Sequence, residues 1–319
     1  MISVLILFSL VAVTTDHSPE LAFIQQMQTP LGGFISDLPV AGSALEEPTL
    51  RTTRTAIRAH RLLGGQLANR EAVIRFLYGC YDASSGGFAA RPGLPPDPIS
   101  TSVGLMICRE LKLPTGDMLA RGLQFMNERT ENFEQIRMVA PSLEDFGETV
   151  PQSVSWLKLI DSARNADGSF GSGPGKARST ALYAVAELRL RRAIGEKKVV
   201  QFLQSGQRDD GGFGNDQAGG SDLESCYRVV RLLRRLDANP SRVEGLRAFI
   251  ASCKNSDGGF GRTPYEPSSL HGTYYATIIR LWTDAFQNDF DAVKLGEIPS
   301  QWHSDKALNG PGSQWQVAS

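Results

Sequence analysis

The sequence has few of the features that mark several classes of protein. Its 319 residues include only four cysteines, and no two of them form a Cys-x-x-Cys pair. So few cysteines cannot support a disulfide scaffold at this length, and paired zinc or redox motifs are missing too. Isolated cysteines are most often small buried hydrophobic residues. We expect that role for Cys80, Cys108 and Cys253.

An excess of charge of one sign is also lacking. The chain has 33 Lys and Arg against 34 Asp and Glu, for a formal net charge of -1. No overall basic field is available to hold a nucleic acid backbone, so nucleic acid is not an expected partner. The hydrophobic content of 41% is sufficient for the large core of a globular protein.

Lysine and arginine are absent from the N-terminal region, where the first is Arg51. The run from Met1 to Val13 has the length of a signal-peptide apolar region and is too short to span a bilayer. Signal peptides usually carry a positive charge before this region, so two alternatives stay open. Residues 1–15 are either a signal peptide of an exported protein or an apolar first helix of a cytoplasmic one.

A glycine-aromatic turn is what the sequence does contain repeatedly. A glycine, a second glycine or a serine, and a phenylalanine recur at residues 32–34, 86–88, 168–170, 211–213 and 258–260. The first glycines are separated by 54, 82, 43 and 47 residues. Because the longest gap is close to twice the shorter ones, we predict a sixth, degenerate unit between Cys108 and Trp156.

Each unit has an amphipathic helical stretch, the turn, a loop rich in glycine and proline, and a second helical stretch. A two-helix unit cannot bury both of its apolar faces alone, so successive units must stack. The sequence therefore predicts an all-α protein of six helical hairpins over residues 16–292, followed by a C-terminal tail at 293–319.

The segment from Phe249 to Phe260 resembles the outer helix and turn of the β subunits of zinc-dependent protein prenyltransferases, most closely the type II geranylgeranyltransferase β subunit. The repeats of that family cover the chain from Ser18 to Trp282. The resemblance implies an α/α toroid, in which the stacked hairpins close into a double-walled barrel. Triterpene cyclases and other toroids have similar turns, so the function must come from the site residues.

The resemblance also implies a catalytic zinc site. The family binds zinc with an Asp-x-Cys-Tyr motif and with a histidine of the next repeat, and the matching segments here are Glu224-Ser225-Cys226-Tyr227 and His271-Gly272-Thr273-Tyr274. By this match Glu224, Cys226 and His271 are the zinc ligands, with a carboxylate one methylene longer than the family's. Tyr227 matches the tyrosine that hydrogen-bonds the departing diphosphate.

The positions of these residues are compatible with a metal site. Side chains two residues apart on a helix diverge, so Glu224 and Cys226 could share an ion only at a helix start, which the preceding residues 219–222 favour. A thiolate, an imidazole and a carboxylate with one open position are typical of catalytic zinc. The alternative is a decayed site in which Cys226 is a buried packing residue.

The expected diphosphate site departs from the family. Family enzymes have an Arg and a Lys just before the zinc carboxylate, where this chain has Ala218 and Ser221. A His-Gly-Gly motif of the preceding repeat is also replaced, and we expect Lys176 and Arg178 there to supply cations for the diphosphate instead.

A second source of positive charge is a stripe of arginines that we call the α2 arginine stripe. Its spacing of 3, 4 and 3 residues aligns its members on one helix face, and they are Arg51, Arg54, Arg58 and Arg61. A run of like charges is usually a solvated face, so solvent exposure is the first expectation and an anion site the alternative.

Several aromatic residues are candidates for the lining of an isoprenoid cavity, namely Tyr265, Tyr274 and Tyr275. Trp282 and Phe213 are expected in the core.

Two functional hypotheses follow. The favoured one is a zinc-dependent protein prenyltransferase β-like subunit, which transfers a farnesyl or geranylgeranyl group from its diphosphate to a cysteine of a protein substrate and pairs with a helical-repeat α subunit. The other is a non-catalytic toroid that binds a lipid, a peptide or a protein. A class II terpene cyclase is disfavoured because its Asp-x-Asp-Asp acid motif is missing.

Overall fold

A computed structural model of the chain describes residues 17–39, 46–215 and 220–295, with side chains up to residue 284. The two alternatives for residues 1–15 fall outside this range, as does the chain beyond residue 295. The domain boundaries at 16 and 292 therefore stay predictions.

Within the described residues the secondary structure is helical. The helices are α1 (Ser18–Gln25), α2 (Leu50–Leu62), α3 (Arg70–Gly79), α4 (Pro98–Glu110), α5 (Asp117–Arg129), α6 (Phe133–Phe146), α7 (Ser153–Ser162), α8 (Lys176–Arg189), α9 (Glu196–Ser205), α10 (Leu223–Arg235), α11 (Val243–Ser252) and α12 (Leu270–Leu295). Extended backbone occurs in these ranges only as isolated bridges near the turns. The all-α prediction is confirmed.

The helices form two concentric layers. The even-numbered helices pack in chain order, α2 on α4, α4 on α6 and so on to α12, and α12 packs back on α2. The odd-numbered helices lie outside this ring, with α1 against both α2 and α12. Contact between the first and last inner helices closes the ring. The α/α toroid that the resemblance implied is therefore confirmed, with six hairpins.

The degenerate unit is the hairpin of α5 and α6, which lies within the gap where we predicted it. It has no Gly-Gly-Phe turn, and its helices are joined by Thr130, Glu131 and Asn132. The Asn132 side chain accepts a hydrogen bond from the Gln135 backbone N–H and so caps α6. A local cap replaces the glycine turn in this unit.

Glycine lets a turn approach the outer helix of the next hairpin closely. Gly211 has a φ of 89°, and a Cβ atom at this position would lie 2.1 Å from the Gly245 carbonyl oxygen of the next outer helix. Only glycine combines this backbone conformation with so close an approach. The turn phenylalanines Phe34, Phe88, Phe170, Phe213 and Phe260 are all fully buried.

A repeated hydrogen bond connects the turn to the inner helix. The backbone N–H of the turn phenylalanine donates to a threonine Oγ1 in four hairpins, where the acceptors are Thr53, Thr101, Thr180 and Thr273 at 3.0, 2.9, 3.1 and 3.0 Å. In the fifth hairpin the acceptor is the sulfur of Cys226, 3.2 Å from the Phe213 nitrogen. Cys226 thus occupies a structural position of the repeat.

The inner helices begin at the same rim of the barrel. At this rim, hydrogen bonds join the start of an inner helix to the loop after the turn of a neighbouring hairpin. The Leu50 N–H donates to the Ala90 carbonyl, and the Leu223 N–H donates to the Arg262 carbonyl. The Leu270 N–H donates to the Ser36 carbonyl and so joins the last hairpin to the first. A search of the described helices for one long and apolar enough to span a membrane finds none.

Candidate functional site

The centre of the inner ring is a cavity with an empty volume of about 1060 Å³, which includes solvent at its open end. All six inner helices contribute side chains to its lining. Because the inner helices start at one rim, residues near their N-termini surround the same end of the cavity. Sites in such a cavity can combine groups from distant parts of the sequence.

One side of the cavity, which we call the charged wall, is formed by α2, α10 and α12. Its lining residues are Arg51, Arg54, Thr55, Arg58, Arg61, Tyr227, Arg228, Arg231, His271, Tyr274 and Tyr275. All four members of the α2 arginine stripe are among them. Ring closure turns this face of α2 inward, so the stripe lines the cavity instead of the outer surface of the barrel. Arg51 and Arg61, at the two ends of the stripe, are nevertheless exposed, as first expected, while Arg54 and Arg58 are half-buried.

The other side, which we call the apolar wall, is formed by α4, α6 and α8. Its apolar residues are Val103, Met106, Met138, Pro141, Leu182, Val185 and Ala186. Glu110, Arg137, Asp145 and Arg189 add charge to this wall. Burial raises the pKa of the Asp145 carboxyl against the opposing effect of nearby arginines.

The cavity carries an excess of positive charge. Eight arginines line it, against the carboxylates of Glu110 and Asp145. Ion pairs neutralise part of this charge: Arg54 lies 2.8 Å from Glu110, and Arg189 lies 3.0 Å from Glu144. Arg228 and Arg137 are likewise paired, with Glu224 and Glu134. The remaining imbalance favours an anionic ligand.

Glu224 lies at the rim, at the start of α10, as the sequence predicted for a residue of a helix start. Its Oε1 accepts hydrogen bonds from Arg228 Nη2 at 3.1 Å and from Arg178 Nη2 at 3.3 Å. Burial acts to raise the pKa of this carboxyl, but Arg228 and Arg178 outweigh it and hold the pKa below its ordinary value. Glu224 is therefore an ionised group with two arginine partners.

Cys226 is fully buried between α10 and its turn. Its sulfur accepts from the Phe213 N–H, and burial raises the pKa of the thiol well above its ordinary value. Cys80, Cys108 and Cys253 are also free and buried, as expected of packing residues.

His271 lines the cavity at the start of α12. Its Nδ1 lies 3.1 Å from the Ser36 hydroxyl oxygen. Burial, with a further contribution from Arg51, lowers the pKa of His271 to about 4, so the ring is neutral near pH 7.

The three zinc ligands implied by the resemblance do not fit a zinc ion in this arrangement, since Glu224 faces arginines, Cys226 faces Phe213 and His271 contacts Ser36. Across residues 17–39, 46–215 and 220–284, no group of three or more histidine, cysteine, aspartate or glutamate side chains is placed to hold a metal ion.

Tyr227 is part of the charged wall. Its ring stacks on Tyr275 with centroids 4.9 Å apart and on Trp282 at 5.7 Å. The guanidinium carbons of Arg228 and Arg231 lie 5.4 and 5.2 Å from its ring centroid. Its hydroxyl oxygen is 3.5 Å from Arg231 Nη1. A cation-supported hydroxyl in this position can hydrogen-bond an anionic ligand.

The two cations expected for the diphosphate have different positions. Arg178 reaches Glu224 at the rim of the cavity. Lys176 instead forms an ion pair with Asp167, which directly precedes the turn at residues 168–170. Its Nζ lies 5.4 Å from the Phe202 ring centroid. Lys176 is thus directed toward the turn, away from the lining of the cavity.

The aromatic candidates for the cavity lining also differ in position. Tyr274 and Tyr275 line the cavity, but Tyr265 is 96% exposed on the loop before α12 and is not part of this lining. That prediction for Tyr265 is wrong, because the loop after the turn projects from the rim. Phe213 is buried as expected, and Trp282 is partly buried against Tyr227.

Sequence reasoning missed four of the cavity arginines: Arg137, Arg189, Arg228 and Arg231. A signal was present for α10, where Arg228, Arg231 and Arg235 recur at spacings of 3 and 4 residues like the α2 stripe. No comparable spacing marks Arg137 or Arg189.

Comparison with known proteins identifies a family. The model of the Prenyltransferase alpha-alpha toroid domain matches residues 34–143 and 138–283. Protein farnesyltransferase subunit beta of Arabidopsis thaliana is 24% identical in an alignment of 230 residues, and the match covers 63% of this chain and 47% of that protein. The subunit from Pisum sativum is 22% identical in an alignment of 196 residues, and the match covers 55% of this chain and 46% of that protein. The chain spans about half the length of these curated relatives.

Solved structures share the fold at low identity. Candida albicans protein geranylgeranyltransferase-I, complexed with GGPP, superposes with a TM-score of 0.69 at 15% identity and covers 83% of this chain and 90% of that one. The type II terpene cyclase MstE from Scytonema has a TM-score of 0.56 at 12% identity and covers 84% of this chain and 96% of that one. Toroids with different chemistries are thus similar to this chain, and the site must decide between them.

Proposed function

Because the chain belongs to the prenyltransferase alpha-alpha toroid family, we propose that it is a prenyltransferase β-like subunit whose central cavity binds an isoprenoid diphosphate. The observation that carries this proposal is the division of the cavity into a charged wall and an apolar wall. An isoprenoid diphosphate has the same division, with an anionic head and a hydrocarbon chain.

Each wall suits one part of the ligand. Arginine side chains form short, charge-assisted and often bidentate hydrogen bonds with phosphate oxygens. Burying the isoprenoid chain against Met106, Met138 and Leu182 would contribute roughly 0.8 kcal/mol per methylene group. In this proposal Tyr227, between Arg228 and Arg231, donates a hydrogen bond to the diphosphate.

Transfer of the prenyl group to a protein cysteine, with a helical-repeat α subunit as partner, is the finer form of this proposal. By the resemblance, this step needs zinc held by Glu224, Cys226 and His271, and here each of them has another partner. The geometry therefore supports ligand binding ahead of the metal-dependent transfer. Zinc content of the purified protein, compared with Cys226→Ala and His271→Ala, tests the metal: one zinc per chain, lost in both variants, would establish it.

A non-catalytic toroid that binds a lipid, a peptide or a protein is the second candidate. One observation favours it: Cys226 takes the place that threonine has in four other hairpins, as acceptor for the turn N–H. A cysteine in this role needs no metal. Under this alternative the cavity still binds an anionic amphiphile, but the chain has no transferase activity with any α subunit.

The first experiment is a calorimetric titration of the purified chain with farnesyl diphosphate and geranylgeranyl diphosphate. Saturable binding of either donor, with one ligand per chain, is the expected result. Tighter binding of the geranylgeranyl compound would favour a geranylgeranyl donor over a farnesyl donor. Absence of binding to both donors would overturn the proposal.

A further inference from the structure

The position of Glu224 between two arginines has a functional implication. Its single oxygen Oε1 accepts from Arg178 of α8 and from Arg228 of α10, at 3.3 and 3.1 Å. The carboxylate therefore joins two neighbouring inner helices at the rim of the cavity. A phosphate oxygen between the same two guanidinium groups would make equivalent contacts.

The two arginines have hydrogen-bonding capacity that Glu224 does not use. The side chain of Arg228 is only 8% exposed, and its Nε is buried with no hydrogen-bond partner among the described residues. The Nε of Arg178 is also buried and, within the same part of the chain, unpartnered. Buried donors without acceptors are costly, and a ligand with several acceptor oxygens would satisfy them.

Further positive charge surrounds this pair. Burial lowers the pKa of Arg137 on α6, and the nearby charges of Arg228 and Arg51 lower it further. Arg137 donates to both oxygens of Glu134, whose side chain is 50% exposed, so solvent screens this counter-charge in part. The arginines of this rim thus exceed the carboxylates that neutralise them.

We propose that Arg178, Arg228 and Arg137 form an oxyanion-binding site at the rim, and that Glu224 is its built-in counter-anion and not a zinc ligand. The ligand is a phosphate or diphosphate group, alone or as part of a larger molecule. Its binding displaces the carboxylate of Glu224 from both arginines, which exchanges a single negative charge for two or three. This inference rests on the proposed function in one respect only: it takes the rim as the place where the diphosphate of the isoprenoid ligand binds.

The test uses the full chain, inorganic pyrophosphate and the variant Glu224→Gln, which keeps the side-chain shape and removes the charge. Calorimetric titration should show pyrophosphate binding to the variant at least about fivefold more tightly than to the natural chain, because no carboxylate has to be displaced. Equal or weaker binding to Glu224→Gln would overturn the proposal. Arg178→Gln should weaken binding and remove the gain when combined with Glu224→Gln.

Glu131→Gln is the matched control, since it removes the same charge from an exposed side chain in the loop just before α6. We expect it to change pyrophosphate affinity less than Glu224→Gln. An equal gain in both variants would mean that net charge alone controls the affinity, and the specific role of Glu224 would be wrong. A zinc ligand at position 224 would instead show as loss of bound zinc in Glu224→Gln without tighter pyrophosphate binding.

Farnesyl diphosphate separates this inference from the proposed function. If Glu224→Gln gains affinity for pyrophosphate while neither protein binds farnesyl diphosphate more tightly than pyrophosphate, the oxyanion site stands and the isoprenoid function fails. If the natural chain prefers farnesyl diphosphate but Glu224→Gln shows no gain for pyrophosphate, the function stands and the counter-anion is wrong.

Discussion

The two walls of the cavity differ in composition and in their origin along the chain. The charged wall comes from the first, fifth and sixth hairpins and contains six arginines and three tyrosines. The apolar wall comes from the second, third and fourth hairpins and contains seven apolar residues. The charged wall therefore exists only because α12 packs on α2 and joins the two ends of the described barrel.

Helix α10 shows how a charged wall is compatible with a stable barrel. Arg228 and Arg231 face the cavity, while Val229, Val230 and Leu232 are fully buried in the core. The helix is amphipathic in the usual sense, with its polar face toward an internal cavity instead of the outside. The outer helices supply the apolar surface that covers its other face.

The largest effect on ligand affinity is expected from a substitution in the middle of the charged wall. Arg231→Met removes a cation beside Tyr227 and should weaken farnesyl diphosphate binding about 10- to 100-fold, as expected for the loss of a charge-assisted hydrogen bond. Arg234→Met is the control, since Arg234 lies on the same helix outside the cavity lining. Calorimetric titration of both variants makes the comparison, and equal losses would mean that Arg231 has no special role.

A smaller effect is expected on the apolar wall. Met138→Ala shortens a partly buried side chain of the lining and should weaken farnesyl diphosphate binding about fivefold, through loss of roughly 1 kcal/mol of apolar contact. Pyrophosphate binding should not change in this variant. A parallel loss for both ligands would contradict the separation of the two walls.

Behind the charged wall, His60 allows a prediction about stability. Burial lowers its pKa, and both ring nitrogens lack hydrogen-bond partners among the described residues. Because the folded pKa is below the unfolded value of about 6.5, stability present above pH 6.5 should be lost as pH falls through the folded pKa. His60→Phe should remove this pH dependence and raise the free energy of unfolding by about 1 kcal/mol at neutral pH. Urea unfolding at pH 7.5 and 5.5 measures both effects, and an unchanged pH slope would exclude His60 as its source.

The smallest effect on ligand binding is expected at Cys226, which lies behind the charged wall and not in it. Cys226→Thr reproduces the acceptor of the other four hairpins, so it should leave farnesyl diphosphate affinity unchanged and alter stability by less than about 1 kcal/mol. Cys226→Ala removes the acceptor of the Phe213 N–H and should destabilise by about 1 to 2 kcal/mol. If thermal unfolding ranked Cys226→Thr below Cys226→Ala, the structural role of the sulfur would be wrong.

Much of the fold follows from local sequence. The glycine turns have defined spacing, and the gap between Gly86 and Gly168 locates the unit that lacks one. Closure of the ring does not follow from spacing, because it depends on the curvature of the stack, and the family resemblance supplied it. Without closure, the direction in which the α2 arginine stripe faces cannot be known.

The site was predicted less completely, for a physical reason. Glu224, Cys226 and His271 were expected near one rim because each belongs to the start of an inner helix. Glu224 and His271 lie there, but Cys226 is buried against its turn and accepts from the Phe213 N–H. The partner of Glu224, Arg178, comes from another hairpin, and no spacing in the sequence links the two. Local patterns locate residues on a helix, whereas the ion pairs between helices decide what those residues bind.

The central claim is that the two walls bind the two parts of one ligand, and the most direct test is to measure the parts separately. Affinities of the natural chain for farnesyl diphosphate, inorganic pyrophosphate and farnesol would be determined by calorimetry at one salt concentration. If both walls bind, farnesyl diphosphate should bind at least about 100-fold more tightly than pyrophosphate or farnesol alone. Equal affinities for farnesyl diphosphate and pyrophosphate, or for farnesyl diphosphate and farnesol, would contradict it, because one wall would then have no role.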